Sequence, residues 1–417
     1  MTSYFRNRNL WTLIFIWAVW AVIIIGYQSF VDARIHPQRP DYARPWTGDN
    51  TTADINEGKP YLNNPFMNRQ VEWDSEYYLS IAIAGYEDQS GNFVRMPSGS
   101  RLYLNYAFFP LYPHVMRVVA VPLSVFGMDA IATATLAGVI ISLLGTLAGM
   151  ISLYSIAQPQ LEASGAIRTA FYMLIFPTGF FLTHVYTEGL FVGLAFTSLA
   201  LIQKKRLLLA GILAAFAVWT RAVGLALVVP LALAWLSHIS WGELRNDWKS
   251  ALRPYKTLFL NTIAVLLPLI AYALWNHYLG KPFNEVEDRY FGRGLFDWNA
   301  TFRGFEAAWN AIISGENLQA RAYNLLEFGG ILLALTACLF TLKQYPKVAL
   351  FGLLALAVSV FSGEPQSLIR YVLVIPSIYL FLARLGKYIA FDRAWTLLSV
   401  LLLGLLTYLI TFDLWVA

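Results

Sequence analysis

The sequence predicts an all-α polytopic membrane protein, and three observations support this fold class. Hydrophobic residues make up 58% of the 417 residues and charged residues only 13%, against about 45–50% and about 25% in ordinary soluble proteins. The mean hydropathy is +0.53. Long runs without charge recur along the whole chain. A soluble surface cannot be built from this composition, so lipid must be the main solvent of the protein.

The composition also excludes other classes of protein. The single cysteine, Cys338, cannot form an internal disulfide and lies within an apolar run. The net charge of +5 is small and its basic residues are scattered, so we expect no binding to nucleic acid.

Charge-free apolar runs predict the membrane helices, because a helix needs about 20 apolar residues to cross the hydrocarbon. About eleven runs qualify, at residues 9–30, 130–161, 169–187, 189–203, 207–220, 222–238, 257–280, 328–342, 348–363, 371–383 and 394–412. The first run is longer than the apolar core of a typical signal peptide and no small-residue cleavage site follows it. We therefore predict a retained helix there.

The orientation follows from five clusters of lysine and arginine, which the positive-inside rule places in the cytoplasm. The clusters are Arg6 and Arg8; Lys204, Lys205 and Arg206; Arg245, Lys249, Arg253 and Lys256; Lys343 and Lys347; and Arg384, Lys387 and Arg393. With the N-terminus inside, this arrangement requires that residues 108–126 lie at the outer interface or dip in and return. Pro110, Pro113, Pro122 and Arg117 in this segment favour such a position.

This topology gives one integral membrane domain, residues 1–417, with two long extracytoplasmic loops at residues 28–128 and 281–327. Long ordered loops usually carry function. Within the first loop, Val71 to Ala84 predicts an interfacial helix with Tyr77 on its apolar face. A second amphipathic segment, between Ser240 and Lys256, is predicted on the cytoplasmic side, where its basic residues would meet anionic lipids.

Eight ionisable side chains fall in the outer loops or at the outer ends of spans. They are Asp74, Glu87, Asp88, Glu188, Arg221, Arg289, Glu364 and Arg370. Charges near the hydrocarbon usually line a cavity, so we predict a polar site that opens outward. The alternative is that they are solvated loop charges or structural ion pairs.

Several kinds of chemistry lack their motifs in this sequence. It has no Gly-rich phosphate loop, no His-Glu-x-x-His motif and no cysteine pair, and its five histidines are dispersed. We therefore predict neither a metal nor a cofactor. His184, four residues before Glu188, is a candidate for binding phosphate or pairing with that glutamate; the alternative is a satisfied buried histidine.

Five segments together resemble one known family. They are Glu72-Trp73-Asp74-Ser75-Glu76-Tyr77-Tyr78 to Ala82 with Gly85-Tyr86; Ala107 to Pro113; Phe176-Pro177-Thr178 with Val185 to Glu188; Trp219-Thr220-Arg221-Ala222-Val223-Gly224; and Ile369-Arg370-Tyr371-Val372-Leu373. In order and spacing they resemble the PIG-V-type mannosyltransferases, which add a mannose during glycosylphosphatidylinositol assembly, and their prokaryotic relatives. Eukaryotic members often have an acidic residue shortly after Gly-Tyr; here Glu87 follows at once.

The resemblance, which extends from Trp73 to Tyr371, implies both fold and activity. It implies a GT-C fold, meaning a multi-helix membrane bundle with interfacial helices in a large first outer loop. The implied reaction is inverting transfer of mannose from a polyprenyl-phosphate donor to a hydroxyl of a glycan or glycolipid acceptor. It would take place on the extracytoplasmic side, at the plasma membrane if the source is prokaryotic.

This reaction needs few protein groups, because the donor carries its own leaving group. Asp74 is the candidate general base; the alternative is an N-cap of the helix that follows it. Arg221 and Arg370 are the candidates for holding the phosphate, since a guanidinium offers bidentate geometry and a permanent charge; the alternative is pairing with Glu188 or Glu364. The remaining substrate-binding candidates are Trp73, Tyr77, Tyr86, Glu87, His184, Glu188 and Arg289, the last of which is also expected to form a loop ion pair.

Two other functions remain open from the sequence. A transporter or flippase of a lipid-linked saccharide would also need a polar cavity among helices, but it should show internal repeats and polar interruptions at mid-membrane depth. Here the charges gather at one face and no repeat is visible, which favours an enzyme. An inactive scaffold in a glycosylation complex is the third possibility, and the intact Trp-Asp and Thr-Arg motifs argue against it.

Overall fold

The computed structural model describes residues 2–37, 40–52, 56, 58–91, 93–97, 99–237, 255–294 and 297–416. These residues are predominantly helical. The helices are α1 (Thr2–Arg34), α2 (Thr47–Asn50), α3 (Ser75–Ile83), α4 (Leu111–Leu123), α5 (Ala130–Leu174), α6 (Thr187–Gln203), α7 (Leu207–Val218), α8 (Val228–Leu236), α9 (Tyr255–Phe291), α10 (Trp298–Ile313), α11 (Leu318–Thr341), α12 (Pro346–Val360), α13 (Leu368–Tyr371), α14 (Pro376–Leu385) and α15 (Ile389–Thr411).

Short elements connect these helices. Strands β1 (Phe93–Arg95) and β2 (Arg101–Tyr103) form an antiparallel hairpin in which Phe93 pairs with Tyr103. Short 3-10 segments lie at Pro60–Leu62, Asn68–Gln70, Leu104–Ala107, Ser124–Phe126, Gly179–Leu182, Ala222–Leu227 and Val372–Val374.

The long apolar helices confirm a multi-pass, all-α membrane protein. Within the described ranges, five helices are long and apolar enough to cross a bilayer, namely α1, α5, α9, α11 and α15. The segment from α13 to α14 bends by 80° and would be a sixth span if it crosses as one unit. Helices α6, α7, α8 and α12 coincide with other predicted spans but have at most 17 residues. The count of eleven spans is therefore not established by helix length.

Two predicted spans have different bounds in the structure. Residues 130–161 and 169–187 were separate in the hydropathy pattern, whereas α5 runs on to Leu174 with a break at Glu162, where φ is 56°. Residues 175–186 are irregular apart from the 3-10 turn at Gly179–Leu182. Pro177 explains the early end of the helix, because proline has no N–H and disfavours helical geometry in the residue before it.

Glycines bring α5 and α6 into backbone contact. A Cβ atom added to Gly189 would lie 2.4 Å from the carbonyl oxygen of Ser142, and one added to Gly145 would lie 2.4 Å from that of Gly189. Only glycine fits at such a distance, and small residues at helix interfaces are what allow close packing in membranes. This contact fixes the start of α6, which carries Glu188.

The first long loop, predicted to be extracytoplasmic, packs into the protein. The predicted helix at Val71 to Ala84 is present as α3, but Leu79 and Ile81 are buried at 0% and 1% exposure. Arg117 of α4 donates hydrogen bonds of 2.8 Å to the carbonyl oxygens of Ile81 and Ala82, which satisfies the C-terminal end of α3.

Helix α4 occupies the proline-containing segment at residues 108–126. Its 13 residues extend over roughly 20 Å, less than the ~30 Å hydrocarbon thickness. Val118, Val121 and Val125 along this segment are largely exposed. This segment thus belongs with α6, α7, α8 and α12 among the shorter apolar helices, and its position at the outer interface stays a prediction.

The second long loop predicted from the sequence, at residues 281–327, contains helices. Much of 281–327 is helical, because α9 continues to Phe291, α10 follows and α11 begins at Leu318. The amphipathic segment between Ser240 and Lys256, with the basic cluster that it contains, lies outside the described residues except for the first two residues of α9.

Candidate active site

A cavity of about 1300 Å³ lies where the first long loop meets α6, the turn after α7, the end of α9 and the segment around α13. Five of the side chains singled out from the sequence for substrate binding or catalysis line it: Trp73, Asp74, Tyr77, Arg221 and Arg370. These five residues come from three separate sequence motifs, which the cavity brings together.

Asp74 lies in the turn before α3 and is held by an arginine. Its Oδ2 is 2.8 Å from Nη1 of Arg370, and its side chain is 27% exposed, against 8% for Arg370. Although Asp74 is the residue before the first turn of α3, its side chain accepts no capping hydrogen bond. The helix-cap alternative is therefore not what the structure shows.

The backbone of Asp74 is fixed by Tyr186. The Asp74 N–H donates to the Tyr186 hydroxyl at 3.2 Å, and that hydroxyl donates to the carbonyl oxygen of Glu72 at 3.0 Å. Tyr186 immediately precedes α6. The packing of α5 on α6 therefore positions Tyr186, and Tyr186 in turn positions the backbone of Asp74.

Glu188 lies beneath the cavity and orients two arginines. It is fully buried; its Oε1 pairs closely with Nη1 of Arg221 and lies 3.5 Å from Nε of Arg370. Arg221 also donates to the Thr187 hydroxyl at 3.1 Å. Glu188 is the second residue of α6, where the positive end of the helix dipole stabilises a carboxylate. The predicted pairing of these arginines with Glu188 is therefore present, whereas Glu364 pairs with Arg44.

Three guanidinium groups surround the ring of Tyr371. The guanidinium carbons of Arg221, Arg293 and Arg370 lie 5.1, 4.9 and 5.1 Å from the ring centroid, within the range of a cation–π interaction. Such a group of cations at a cavity wall suits a phosphate.

Arg293 is a cavity residue that the sequence analysis missed. It donates to the Ser362 hydroxyl at 3.1 Å and to the Gln366 carbonyl oxygen at 2.8 Å. The sequence feature that could have pointed to Arg293 is the preceding Gly292. In the structure its φ of 62° lets the chain turn immediately after α9. The candidate Arg289, one turn earlier, is 55% exposed, pairs with Glu285 at 3.2 Å and does not line the cavity.

The other candidates lie away from the cavity lining. His184 is buried between Glu72, at 3.1 Å, and Gln28, at 3.2 Å, so it is a buried structural histidine and does not contact Glu188. Burial, to which the charge of Asp413 adds, raises the pKa of the Glu72 carboxyl well above its usual range. Tyr86 donates to the carbonyl oxygen of Phe108 at 2.9 Å.

The two acidic residues after Tyr86 accept hydrogen bonds from other residues of the first long loop. Glu87 is exposed and accepts a hydrogen bond of 3.0 Å from Tyr106. Asp88 is buried and accepts hydrogen bonds from Tyr61 and, at 2.9 Å, from Ser80. Of the eight charges expected at one site, Asp74, Glu188, Arg221 and Arg370 form one ion-pair network, and Glu364 lines the same cavity.

Across the described parts of the chain, no group of three or more His, Cys, Asp or Glu side chains is arranged to hold a metal ion. The polar groups that line the cavity are carboxylates, guanidinium groups, amides, hydroxyls and one lysine ammonium group.

Comparisons with known proteins gave one family and a set of solved structures. A sequence model of the mannosyltransferase (PIG-V) family matches residues 44–290. No curated protein matched the chain. ArnT from Cupriavidus metallidurans, bound to undecaprenyl phosphate, is 15% identical with a TM-score of 0.45, and the match covers 86% of this chain and 75% of that one.

A second solved structure is the oligosaccharyltransferase AglB from Archaeoglobus fulgidus in complex with an inhibitory peptide and a dolichol-phosphate. It is 13% identical with a TM-score of 0.46, and the match covers 98% of this chain. The chain spans about 56% of the length of that protein.

Proposed function

The chain belongs to the mannosyltransferase (PIG-V) family and is thus a membrane glycosyltransferase of the GT-C type; from this premise we propose that it transfers mannose from polyprenyl-phosphate mannose to an acceptor hydroxyl. The acceptor is a glycan or glycolipid, the reaction inverts the anomeric carbon, and the site faces the extracytoplasmic side. The observation that carries the proposal is the placement of Asp74 beside Arg370 on the wall of one cavity, with Arg221 and Arg293 around the same tyrosine ring.

The arginines are the groups that receive the donor phosphate. A phosphodiester that leaves as a phosphomonoester gains negative charge as the bond to the sugar breaks, and fixed cations stabilise that charge most in a site that excludes water. Arg370 and Arg221 are both anchored by buried Glu188. Their guanidinium groups are therefore already oriented before the donor binds, which reduces the cost of ordering them.

Asp74 is the general base. Its Oδ2 is engaged by Arg370, and its Oδ1 accepts no hydrogen bond from any described residue, so an acceptor hydroxyl can donate to that oxygen. In the reaction the acceptor oxygen forms a bond to C1 of mannose and its proton passes to Asp74. The bond from C1 to the phosphate oxygen breaks, and its electron pair leaves with the polyprenyl phosphate.

The family match argues against a flippase, because that family is defined by transferases. Enzyme and transporter also make different predictions about the donor, because only the enzyme breaks the bond between mannose and phosphate.

The test is transfer by the purified protein in liposomes containing tritiated polyprenyl-phosphate mannose, with octyl α-mannopyranoside as acceptor. We expect time-dependent formation of tritiated octyl dimannoside with release of polyprenyl phosphate. Inversion of a β-mannosyl phosphate gives a product that an α-mannosidase cleaves. Movement of intact donor between leaflets without loss of mannose would support the transporter and contradict the proposal.

A further inference from the structure

Three tryptophans form a cluster at one end of the cavity. The ring centroids of Trp73 and Trp415 lie 5.0 Å apart, those of Trp46 and Trp415 lie 4.8 Å apart, and those of Trp46 and Trp73 lie 6.0 Å apart, all with edge-to-face geometry. All three side chains line the cavity. We propose that this tryptophan cluster is the binding subsite for the acceptor saccharide, an inference that rests on the proposed function.

A second aromatic group in the cavity has a different character. Tyr77 stacks on Phe108 with centroids 4.5 Å apart, and Phe291 lies 6.0 Å from Tyr77. Trp73 directly precedes Asp74 and Tyr77 follows it by three residues; both aromatic groups and the carboxylate line the same cavity.

Polar groups accompany the indole cluster. Asn50 donates to the carbonyl oxygen of Trp46 at 3.2 Å, and Glu364, on the cavity wall, pairs with Arg44 two residues before Trp46. A pyranose ring has a face of C–H groups, which packs against an indole, and a rim of hydroxyls, which needs donors and acceptors. The indole end matches a saccharide on both counts.

The cluster is built from both ends of the chain and is held by specific hydrogen bonds. The backbone N–H of Trp415 donates to Oδ2 of Asp41 at 2.8 Å, and the backbone N–H of Ala43 donates to Oδ1 of the same carboxylate at 3.1 Å. The hydroxyl of Thr47 donates to the carbonyl oxygen of Arg44 at 2.8 Å. These bonds fix the loop that carries Trp46 against the C-terminal segment that carries Trp415.

Trp73 is held in an unfavourable backbone conformation. Its φ is 45°, in the left-handed region that bulky residues rarely adopt and that persists where the surroundings enforce it, often at binding sites. Trp73 directly precedes Asp74 and both side chains line the same cavity, so we place the acceptor hydroxyl of a sugar bound on the indole at the Asp74 carboxylate.

The test separates acceptor binding from donor binding. We expect Trp415→Leu to raise the KM for octyl α-mannopyranoside by about tenfold, more than it raises the KM for polyprenyl-phosphate mannose. Trp309→Leu is the matched control, because Trp309 is 53% exposed, packs on Phe328 and lies off the cavity; its two KM values should equal those of the wild type. Trp415→Phe keeps an aromatic face and should be intermediate.

Direct binding provides a readout that does not depend on turnover. Saturation-transfer NMR with methyl α-mannopyranoside and methyl α-glucopyranoside should show transfer to ring protons of at least one probe with the wild-type protein. The signal should be lost in Trp415→Leu and kept in Trp415→Phe. An unchanged signal and acceptor KM in Trp415→Leu, or a rise confined to the donor KM, would overturn the subsite. A wild-type protein that consumes no donor but gives the saturation signal would contradict the proposed reaction and keep the saccharide site.

Discussion

Replacing Asp74 with asparagine tests the general base most directly, because the structure limits what the change does to folding. An asparagine oxygen can still accept a hydrogen bond from Nη1 of Arg370, now 2.8 Å from Asp74. Arg370 also keeps a second carboxylate, since Glu188 lies 3.5 Å from its Nε. Exchanging a charge-assisted hydrogen bond for a neutral one at a side chain that is 27% exposed should cost about 1 kcal/mol of stability.

The expected effect on the reaction is much larger. An amide cannot accept the acceptor proton, so transfer should fall by roughly 10²–10⁴-fold, equivalent to about 3–5 kcal/mol of activation free energy. Native proteins are stable by roughly 5–15 kcal/mol, so losing about 1 kcal/mol leaves nearly all molecules folded. Loss of folded protein therefore cannot produce a drop of this size. Asp74→Glu should be intermediate, because it restores basicity but moves the carboxylate.

The assay measures initial rates of mannose transfer per folded molecule, together with the thermal midpoint and donor binding. Asp88→Asn is the matched control, since Asp88 is a carboxylate of the same loop that accepts hydrogen bonds from Tyr61 and Ser80 away from the cavity. It should lower the thermal midpoint but keep turnover. If Asp74→Asn keeps more than about a tenth of wild-type transfer, the reasoning is refuted, and the base must be sought at Glu287 or Glu364, which line the same cavity.

The remaining predictions concern the phosphate, the helix packing and the topology. Arg221→Lys should raise the donor KM and Arg221→Ala should do so further, by the equivalent of about 2–5 kcal/mol, because a bidentate fork is lost; an Arg221→Ala, Arg370→Ala double variant with normal donor kinetics would exclude the role. Gly189→Ala should lower the thermal midpoint, since its Cβ would lie 2.4 Å from a backbone oxygen, whereas Gly329→Ala, with nothing within 4 Å, should raise stability by about 0.5–1 kcal/mol; equal midpoints would contradict the packing argument. In a Cys338→Ser background, an impermeant maleimide should label Pro60→Cys on intact cells but not Lys205→Cys, and labelling of the latter would contradict the orientation.

The sequence alone determined the class of the protein and singled out candidate residues that line one cavity. Hydrophobic composition and run length are local properties, and lipid exposure imposes them on each segment separately. Asp74, Arg221 and Arg370 were identified because each lies within a recognisable motif. That Asp74 contacts Arg370 was beyond the sequence, since the two are far apart along the chain and only the packed helices bring them to 2.8 Å.

Tertiary structure decided where the helices end and which neighbouring charges enter the cavity. Close glycine contacts between α5 and α6 let the 17-residue helix α6 pack against its neighbour, and the hydropathy pattern does not contain these contacts. Arg289 and Arg293 look equivalent in sequence, yet Gly292 ends α9 between them and only Arg293 reaches Tyr371. Trp46 and Trp415 are far apart along the chain, yet their ring centroids lie 4.8 Å apart. Local patterns encode the burial of each segment, whereas contacts between distant segments depend on the geometry of packing, which no local pattern contains.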